Sequence, residues 1–233
     1  MKILDLFCCD GGASIGIKMA CPNSEITGID IDSHPNYPFK FIQKDIQLLD
    51  IGFCKQFDFI WASPPCQKHA AITTCLKKKG KIYPDLIGFT RRLLISSGKP
   101  FVIENVVEAQ KEMRRDLTLC GLSFNLPIYR HRIFEIEGFN VIQPIHINHK
   151  TVQESKQMFT IISGKKDFSS LRKQDPKRNL RRQLTIIPSK EIMQDIMMMQ
   201  HSIKEKYIAE AVHPKYSEYI LNQFINKKQR ILF

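Results

Sequence analysis

Residues 2–14, KILDLFCCDGGAS, decide the fold of this chain. A short apolar run, Ile3–Leu6, leads into two adjacent glycines, and small residues that can begin a helix follow directly. Glycines after a first strand let the backbone approach a ligand closely, and the N-terminus of the next helix favours polar or anionic groups. The segment therefore predicts a strand, a ligand-binding turn and a helix.

Further apolar runs of strand length follow, and the stretches between them are long enough for helices. The predicted strands are Ile3–Leu6, Glu25–Asp30, Phe39–Lys44, Phe57–Ala62 and Phe101–Asn105. Before the last of them, Leu86, Phe89 and Leu93 repeat at helical spacing and predict an amphipathic helix. This alternation indicates an α/β fold with a mostly parallel sheet and right-handed crossovers.

The composition limits the environment and the partners that we expect. The 233 residues have a net charge of +12, which favours nucleic acid as a partner over simple solubility. No apolar run approaches the ~20 residues of a membrane-spanning helix, so we expect no membrane partner. The seven cysteines are scattered, and Asp5 interrupts the first apolar run. We therefore expect a soluble, reduced protein of the cytoplasm, or of a host cytoplasm if it is viral.

The character of the sequence changes twice along the chain. We predict a catalytic and cofactor-binding core at 1–139, a short basic insert at 140–188, and C-terminal helices at 189–233 that complete the core. The insert has one apolar run, Phe159–Ile162, so we expect it to have little core of its own. Ser189 is typical of a helix N-cap.

Carboxylates stand at the ends of two predicted strands, where Asp30 closes the second strand and Asp45 follows the third. The carboxyl ends of parallel strands lie along one edge of a sheet, which is where such folds bind ligands. A carboxylate at this edge can accept hydrogen bonds from a ribose diol. These residues predict a site for an adenosine-containing cofactor.

A cysteine follows the fourth predicted strand, in residues 63–67, SPPCQ. The prolines stiffen the loop and hold Cys66 where it can react, although most free cysteines are only small buried hydrophobes. The fifth strand ends in Glu104, which adds a carboxylic acid. Attack of a thiolate at C6 of a pyrimidine pushes charge onto the ring, and a proton at N3 relieves it.

Four segments in this order resemble the motifs of the DNA cytosine-C5 methyltransferase family. They are DLF with GG in 5–12, SPPCQ at 63–67, ENV at 104–106 and RHR at 130–132. The resemblance covers about residues 2–135, and AVHP at 211–214 resembles the family's final motif. The compact build and EYI at 218–220 are most similar to small phage-type members. The resemblance implies a Rossmann-like S-adenosylmethionine-dependent methyltransferase fold that carries the small basic insert.

The resemblance also implies the chemistry and the partners. Cys66 would attack C6 of cytosine, Glu104 would hold or protonate N3, and Asn105 would order the loop around them. Arg130 and Arg132 would lie against the activated base and the nucleophile loop. The substrate would be duplex DNA with the cytosine flipped out, and the cofactor S-adenosylmethionine. The positions that match cofactor contacts are Asp5, Phe7, Gly11, Gly12, Asp30, Ile31, Asp45, Ile46, Pro64, Ala211 and Val212.

The same residues allow other interpretations. Cys9 replaces a glycine of the family motif, which supports a catalytically impaired homologue that binds nucleic acid without turnover. A thymidylate synthase also uses a cysteine after two prolines, but it would act on a mononucleotide with a folate. Cys66, His69 and Cys75 could be drawn as a metal site, but no second ligand pair follows, so we predict no metal. We expect a monomer.

The basic insert bears on the choice of target. Its lysines and arginines can contact phosphates, which position a protein on DNA without reading sequence. A short insert has room for only one or two base contacts, so we predict a recognition site of about two to four bases.

Overall fold

The computed structural model describes residues 1–65, 86–149, 158–159, 161 and 185–231. The described residues form a central sheet of seven strands in the order β3-β2-β1-β4-β5-β7-β6. The strands are β1 Lys2–Leu6, β2 Glu25–Asp30, β3 Lys40–Gln43, β4 Phe59–Ala62, β5 Phe101–Asn105, β6 Leu117–Leu119 and β7 Arg132–Glu137. The adjacent strands among β1 to β5 are parallel to one another, and β7 is antiparallel to both β5 and β6. The predicted α/β fold with a mostly parallel sheet is therefore confirmed.

Helices cover both faces of the sheet. They are α1 Gly12–Ala20, α2 Ile51–Cys54, α3 Ile87–Ser97, α4 Lys190–Met197, α5 Glu205–Glu210 and α6 Pro214–Ile231. A separate short pair of parallel strands, β8 Met158–Phe159 and β9 Thr185–Ile186, lies in the insert. No helix among the described residues combines the length and the hydropathy that crossing a membrane requires.

The core consists of two apolar layers, one on each side of the sheet. Ile3 faces the layer that contains Ile17 of α1 and Tyr216 of α6. The next residue along β1, Leu4, faces the other layer, which contains Leu94 of α3. Because both faces of a parallel sheet are covered, its strands read as nearly continuous apolar runs, and this is why the sequence reveals them.

All five predicted strands are present, and β2 and β5 have the predicted bounds. The antiparallel pair β6 and β7 was not predicted. β6 has only three residues, and β7 buries a charged residue, Glu135, which interrupts the apolar pattern. The guanidinium of Arg91 pairs with the Glu135 carboxylate at 2.7 Å and makes this burial possible.

The C-terminal helices return to the first turn of the chain. Ser189 caps α4, as predicted, because its hydroxyl accepts a hydrogen bond from the backbone N–H of Ile192. A Cβ on Gly16 would overlap the carbonyl of Pro214, so this glycine lets α1 and α6 pack closely. Ile161 of the insert is buried in a cluster with methionines of the C-terminal region, and Phe159 packs against the same cluster.

Candidate active site

The turn after β1 has an unusual backbone. Phe7 and Cys9 have φ values of 59° and 47°, and Gly11 has 87°. A left-handed conformation costs a non-glycine residue about 1–2 kcal/mol, so the surroundings must hold this turn in place. One restraint is the backbone N–H of Cys9, which donates to Asp30 Oδ2 at 3.0 Å. The turn and the end of β2 are thereby joined.

A cavity of about 370 Å³ lies at the carboxyl ends of the parallel strands. It brings together most of the residues predicted from the sequence to form the site. Of the predicted cofactor residues, Asp5, Phe7, Gly12, Asp30, Ile31, Asp45, Ile46, Pro64, Ala211 and Val212 line it. Of the predicted catalytic residues, Glu104, Asn105 and Arg132 line it. Gly11 is buried beside the cavity, where it precedes α1 and packs against Tyr37.

The carboxylates at the ends of β2 and β3 are oriented by backbone groups. Asp30 accepts hydrogen bonds from the N–H of Cys9 and, at 3.1 Å, from the N–H of Asp32. Asp45 accepts one from the N–H of Gln47 at 2.9 Å. A carboxylate has about four lone-pair sites, so both can still accept hydrogen bonds from a ligand. Their chemistry suits the ribose hydroxyls and the amino group of an adenosine.

Asp5 is a buried carboxylate whose hydrogen bonding is incomplete. Its Oδ2 accepts a hydrogen bond from the Ser14 hydroxyl at 2.5 Å, and its Oδ1 has no partner among the described residues. Burial raises the pKa of Asp5 to about 7, and the nearby carboxylates Asp30 and Glu104 contribute to the same direction. A ligand with a cationic group fits this position, because it would satisfy Oδ1 and favour the ionised carboxylate.

Glu104 is the predicted acid of the cavity. We call the part of the cavity lined by Glu104, Asn105 and Arg132 the catalytic half, and the part lined by Asp5, Asp30 and Asp45 the cofactor half. Glu104 is buried at the end of β5, and its Oε1 lies 2.8 Å from Nε of Arg132. The hydroxyl of Ser63 also donates to it, and Ser63 in turn accepts a hydrogen bond from Trp61 Nε1 at 3.0 Å. Burial raises the pKa of Glu104 above its usual range, although Arg132 and Arg130 act against this shift. Glu104 can therefore retain a proton more readily than a solvated glutamate.

Asn105 connects β5 to the loop that precedes the predicted nucleophile. Its side-chain amide donates to the Pro64 carbonyl at 3.1 Å, and its Oδ1 accepts from the N–H of Val106 at 2.9 Å. Cys66 lies outside the described residues, as do His69 and Cys75. The role of Cys66 as a nucleophile therefore stays a prediction.

The two arginines of the RHR motif have different placements. Arg132 lines the cavity and pairs with Glu104. Arg130 is buried, and its guanidinium donates to the carbonyls of Ala209 and Ala211 at 2.7 Å each. Ala211 lines the cavity, so the hydrogen bonds of Arg130 hold this C-terminal part of the cavity lining in place. The resemblance implied that the two arginines lie against the activated base and the nucleophile loop, most of which is outside the described residues. Of the two, Arg132 lines the cavity.

The sequence did not reveal the residues that hold the first turn against the C-terminal region. Asp10 is buried, and it contacts His34 Nδ1 at 2.8 Å and accepts a hydrogen bond from the Ser202 hydroxyl at 2.5 Å. His201 Nε2 donates to the Asp10 carbonyl oxygen at 2.6 Å. Since Asp10 and Ser202 are 192 positions apart in the chain, no local sequence pattern predicts their contact.

Comparisons with known proteins agree with this arrangement. The family model of the C-5 cytosine-specific DNA methylases matches residues 1–120. A crystal structure of a mutant DNMT2 from Spodoptera frugiperda has a TM-score of 0.58 at 16% identity, covering 96% of this chain and 99% of that chain. The S. pombe Dnmt2 methyltransferase has a TM-score of 0.58 at 14% identity, with 97% and 99% covered. The Entamoeba histolytica methyltransferase EhMeth has 0.57 at 12%, with 97% and 98% covered.

At these identities the likeness to solved structures shows a shared fold. No curated protein matches the sequence.

Proposed function

This chain belongs to the C-5 cytosine-specific DNA methylase family, and on that premise we propose that it transfers a methyl group to C5 of cytosine in DNA through a covalent adduct with Cys66. The observation that supports the proposal is the shared cavity. The acid Glu104 and the carboxylates Asp30 and Asp45 line the same space, so a base and a cofactor can meet there.

S-adenosylmethionine, when bound, would supply an electrophilic methyl group on a sulfonium. Asp30 would accept hydrogen bonds from the ribose hydroxyls, and Asp45 from the adenine amino group. Asp5 would pair with the ammonium of the methionine portion, since its Oδ1 has no partner among the described residues. Phe7 and Ile46 would provide apolar contacts for the adenosine.

The residues of the other half would activate the base. The Cys66 thiolate forms a bond to C6, and the electron pair moves through the ring towards N3. Glu104 donates its proton at N3, which its raised pKa favours. C5 would then take the methyl group of the bound cofactor, which would leave as a neutral thioether, and water would take the C5 proton. The electron pair left at C5 would then expel the Cys66 thiolate, and the N3 proton would return to Glu104. Arg132 keeps Glu104 oriented throughout, because the two groups already pair.

C5 and C6 of cytosine are shielded within a duplex, so the base must leave the stack to reach Cys66. The net charge of +12 favours the approach of a polyanion. The basic insert, most of which lies outside the described residues, would contact phosphates. We therefore expect DNA affinity to fall steeply as the salt concentration rises.

One observation favours a second function, nucleic-acid binding without turnover. Cys9, where the family motif has glycine, lines the cavity in a left-handed conformation and narrows the space for a cofactor. The family match argues against the thymidylate synthase alternative.

Trapping with 5-fluorocytosine tests the proposal. Fluorine at C5 cannot leave as a proton does, so duplex DNA with this base should form a stable adduct with the wild type. Cys66→Ala should form none while it still binds S-adenosylmethionine. Cys21→Ala, a matched control at the end of α1, should form the adduct normally. Cofactor binding without any adduct or product would favour the second function.

Bisulfite sequencing of a plasmid incubated with enzyme and cofactor tests the substrate. We expect 5-methylcytosine in a context of about two to four bases, because the insert has room for few base contacts. Methylation confined to a site of six or more bases would contradict the loose recognition. Product formed only on RNA would overturn the DNA assignment.

A further inference from the structure

Four potential metal ligands converge on one point beside the RHR motif. They are Cys120, His131, His146 and His149, and their ligand atoms all lie within 4.8 Å of one another. None of the four lines the cavity described above. The mechanism proposed for methyl transfer uses none of them.

Three separations within this Cys-His cluster are close to those of a metal coordination shell. Nε2 of His146 lies 3.1 Å from Nε2 of His131 and 3.2 Å from Nε2 of His149. The sulfur of Cys120 lies 3.5 Å from Nε2 of His149. Around a tetrahedral zinc ion with ordinary bond lengths, two nitrogens are about 3.3 Å apart, and a nitrogen and a sulfur about 3.6 Å. These three separations lie within about 0.2 Å of those values.

Hydrogen bonding alone accounts poorly for the same geometry. A neutral imidazole nitrogen either carries one proton or offers one lone pair, so it serves one partner well. His146 Nε2 has two other Nε2 atoms at close to the same distance. Protonated rings would bring like charges together. A cation that accepts a lone pair from each ligand satisfies the three nitrogens and the sulfur at once.

The fold delivers the ligands from two places in the chain. Leu119 of β6 pairs with Arg132 of β7, so Cys120 and His131 are the next opposed pair beyond the end of these strands. His146 and His149 lie at the start of the basic insert, which follows β7. The Gln143 side chain already holds this segment by hydrogen bonds of 3.0 Å and 2.6 Å to the backbone of Thr118.

We propose that Cys120, His131, His146 and His149 bind one Zn²⁺ and thereby fasten the start of the basic insert to the RHR motif. Thiolate and imidazole are preferred zinc ligands, and four protein ligands fill a tetrahedral shell. The site is therefore structural, since no position is left for water or substrate. The sequence analysis, which predicted no metal, did not consider these four residues together, because β6 and β7, which bring Cys120 beside His131, were not predicted.

Metal analysis of the full-length chain tests the site. Protein produced with added zinc, without a metal-binding tag, should retain close to one zinc ion per chain after dialysis against a weak chelator. Cys120→Ser and His146→Gln should each retain at least about tenfold less zinc per chain than the wild type, because a three-ligand site holds the ion far less tightly. His146 is exposed, so its substitution should leave the fold intact.

Matched variants outside the cluster test whether the loss of zinc is specific to the four proposed ligands. Cys21→Ser and His201→Gln remove a cysteine and a histidine outside the cluster and should retain the zinc of the wild type. Cys66→Ala should also retain it, which separates the Cys-His cluster from the nucleophile loop. Cobalt in place of zinc should give the visible bands of a tetrahedral site together with a thiolate charge-transfer band, and Cys120→Ser should lose the latter.

Thermal unfolding gives a second readout. A strong chelator should lower the midpoint of the wild type by about 4 °C or more and leave that of His146→Gln unchanged. Wild type without zinc and without the cobalt bands would overturn the proposal. Zinc fully retained by both cluster variants, or lost from Cys66→Ala, would overturn it equally.

Discussion

The two halves of the cavity are held together by different kinds of interaction. In the cofactor half, backbone N–H groups orient Asp30 and Asp45. In the catalytic half, side chains orient Glu104, namely Arg132 and Ser63. A carboxylate held by the backbone keeps its position when a neighbouring side chain changes, whereas one held by side chains does not. Substitutions in the catalytic half should therefore change turnover, and those in the cofactor half should change cofactor affinity.

The largest expected effect in the catalytic half, after loss of Cys66, is that of Glu104→Gln. The amide cannot donate a proton at N3 as an acid does, so turnover should fall by at least ~100-fold, the low end for a positioned acid. Cofactor affinity should change little, because the carboxylates that bind it lie elsewhere.

Single-turnover rates and calorimetric titration with S-adenosylmethionine measure the two quantities separately. Glu108→Gln, which alters an exposed glutamate four positions on, should behave as the wild type. Weakened cofactor binding with normal turnover would show that Glu104 is a structural residue.

The opposite pattern is expected in the cofactor half from Asp30→Asn. Hydrogen bonds to a charged group are worth about 1.5–3 kcal/mol each, so the affinity for S-adenosylmethionine should fall by roughly 10- to 100-fold. The rate at saturating cofactor should change far less. Asp50→Asn removes an exposed carboxylate outside the cavity and serves as the control in the same titration. Equal losses in the two variants would mean that Asp30 has no specific role.

The parts of the fold that the sequence revealed are those with a continuous pattern. β5 was predicted because its apolar run, Phe101–Ile103, is unbroken and the polar residues Glu104 and Asn105 follow only at its end. β6 is too short to stand out, and β7 contains the buried Glu135, whose partner Arg91 lies 44 positions away. Because the arginine that neutralises Glu135 is distant in the sequence, Glu135 interrupts the apolar pattern of β7, and the pattern does not indicate a buried strand.

The same distinction separates the site residues that were found from those that were not. Asp30 could be predicted because a strand end has a fixed place at the edge of a parallel sheet. The separate placements of Arg130 and Arg132 could not, because the carbonyls that Arg130 contacts belong to Ala209 and Ala211, far along the chain. The Cys-His cluster depends on the register of β6 and β7 in the same way.

Because of Asp5, in the cofactor half of the cavity, the free energy of unfolding should depend on pH. Its pKa of about 7 in the folded protein exceeds the value of 3.8 expected for an exposed aspartate. Between these values the folded protein holds a proton that the unfolded chain has released, so the free energy of unfolding should decrease as the pH rises from about 4 to about 7. A single group contributes at most about 1.4 kcal/mol per pH unit.

Urea unfolding of the cofactor-free protein at several pH values measures this dependence. Asp5→Asn cannot titrate, so its stability relative to the wild type should increase as the pH rises through this window. The exposed Asp32→Asn should follow the wild type at every pH. If Asp5→Asn and the wild type change in parallel, the carboxyl of Asp5 does not carry the shift.

The smallest effect, and the one that best separates the two proposed functions, is expected from Cys9→Gly. Cys9 has a φ of 47°, which a residue with a Cβ adopts at a cost of about 1–2 kcal/mol and glycine adopts freely. Glycine also loses more backbone entropy on folding, so the net gain in unfolding free energy should be about 1 kcal/mol or less.

The hydrogen bond from residue 9 to Asp30 uses the backbone N–H and is retained in the variant. Removing the side chain widens the cavity beside Asp30, so the affinity for S-adenosylmethionine should rise by a few-fold. Chemical denaturation and cofactor titration measure both quantities, and Cys8→Gly serves as a control, because Cys8 is buried with an ordinary φ and its replacement should destabilise the protein. A wild type that already binds cofactor as tightly as Cys9→Gly would remove the argument for an impaired homologue, whereas a variant that alone gains methyl transfer would show that Cys9 had silenced an otherwise intact site.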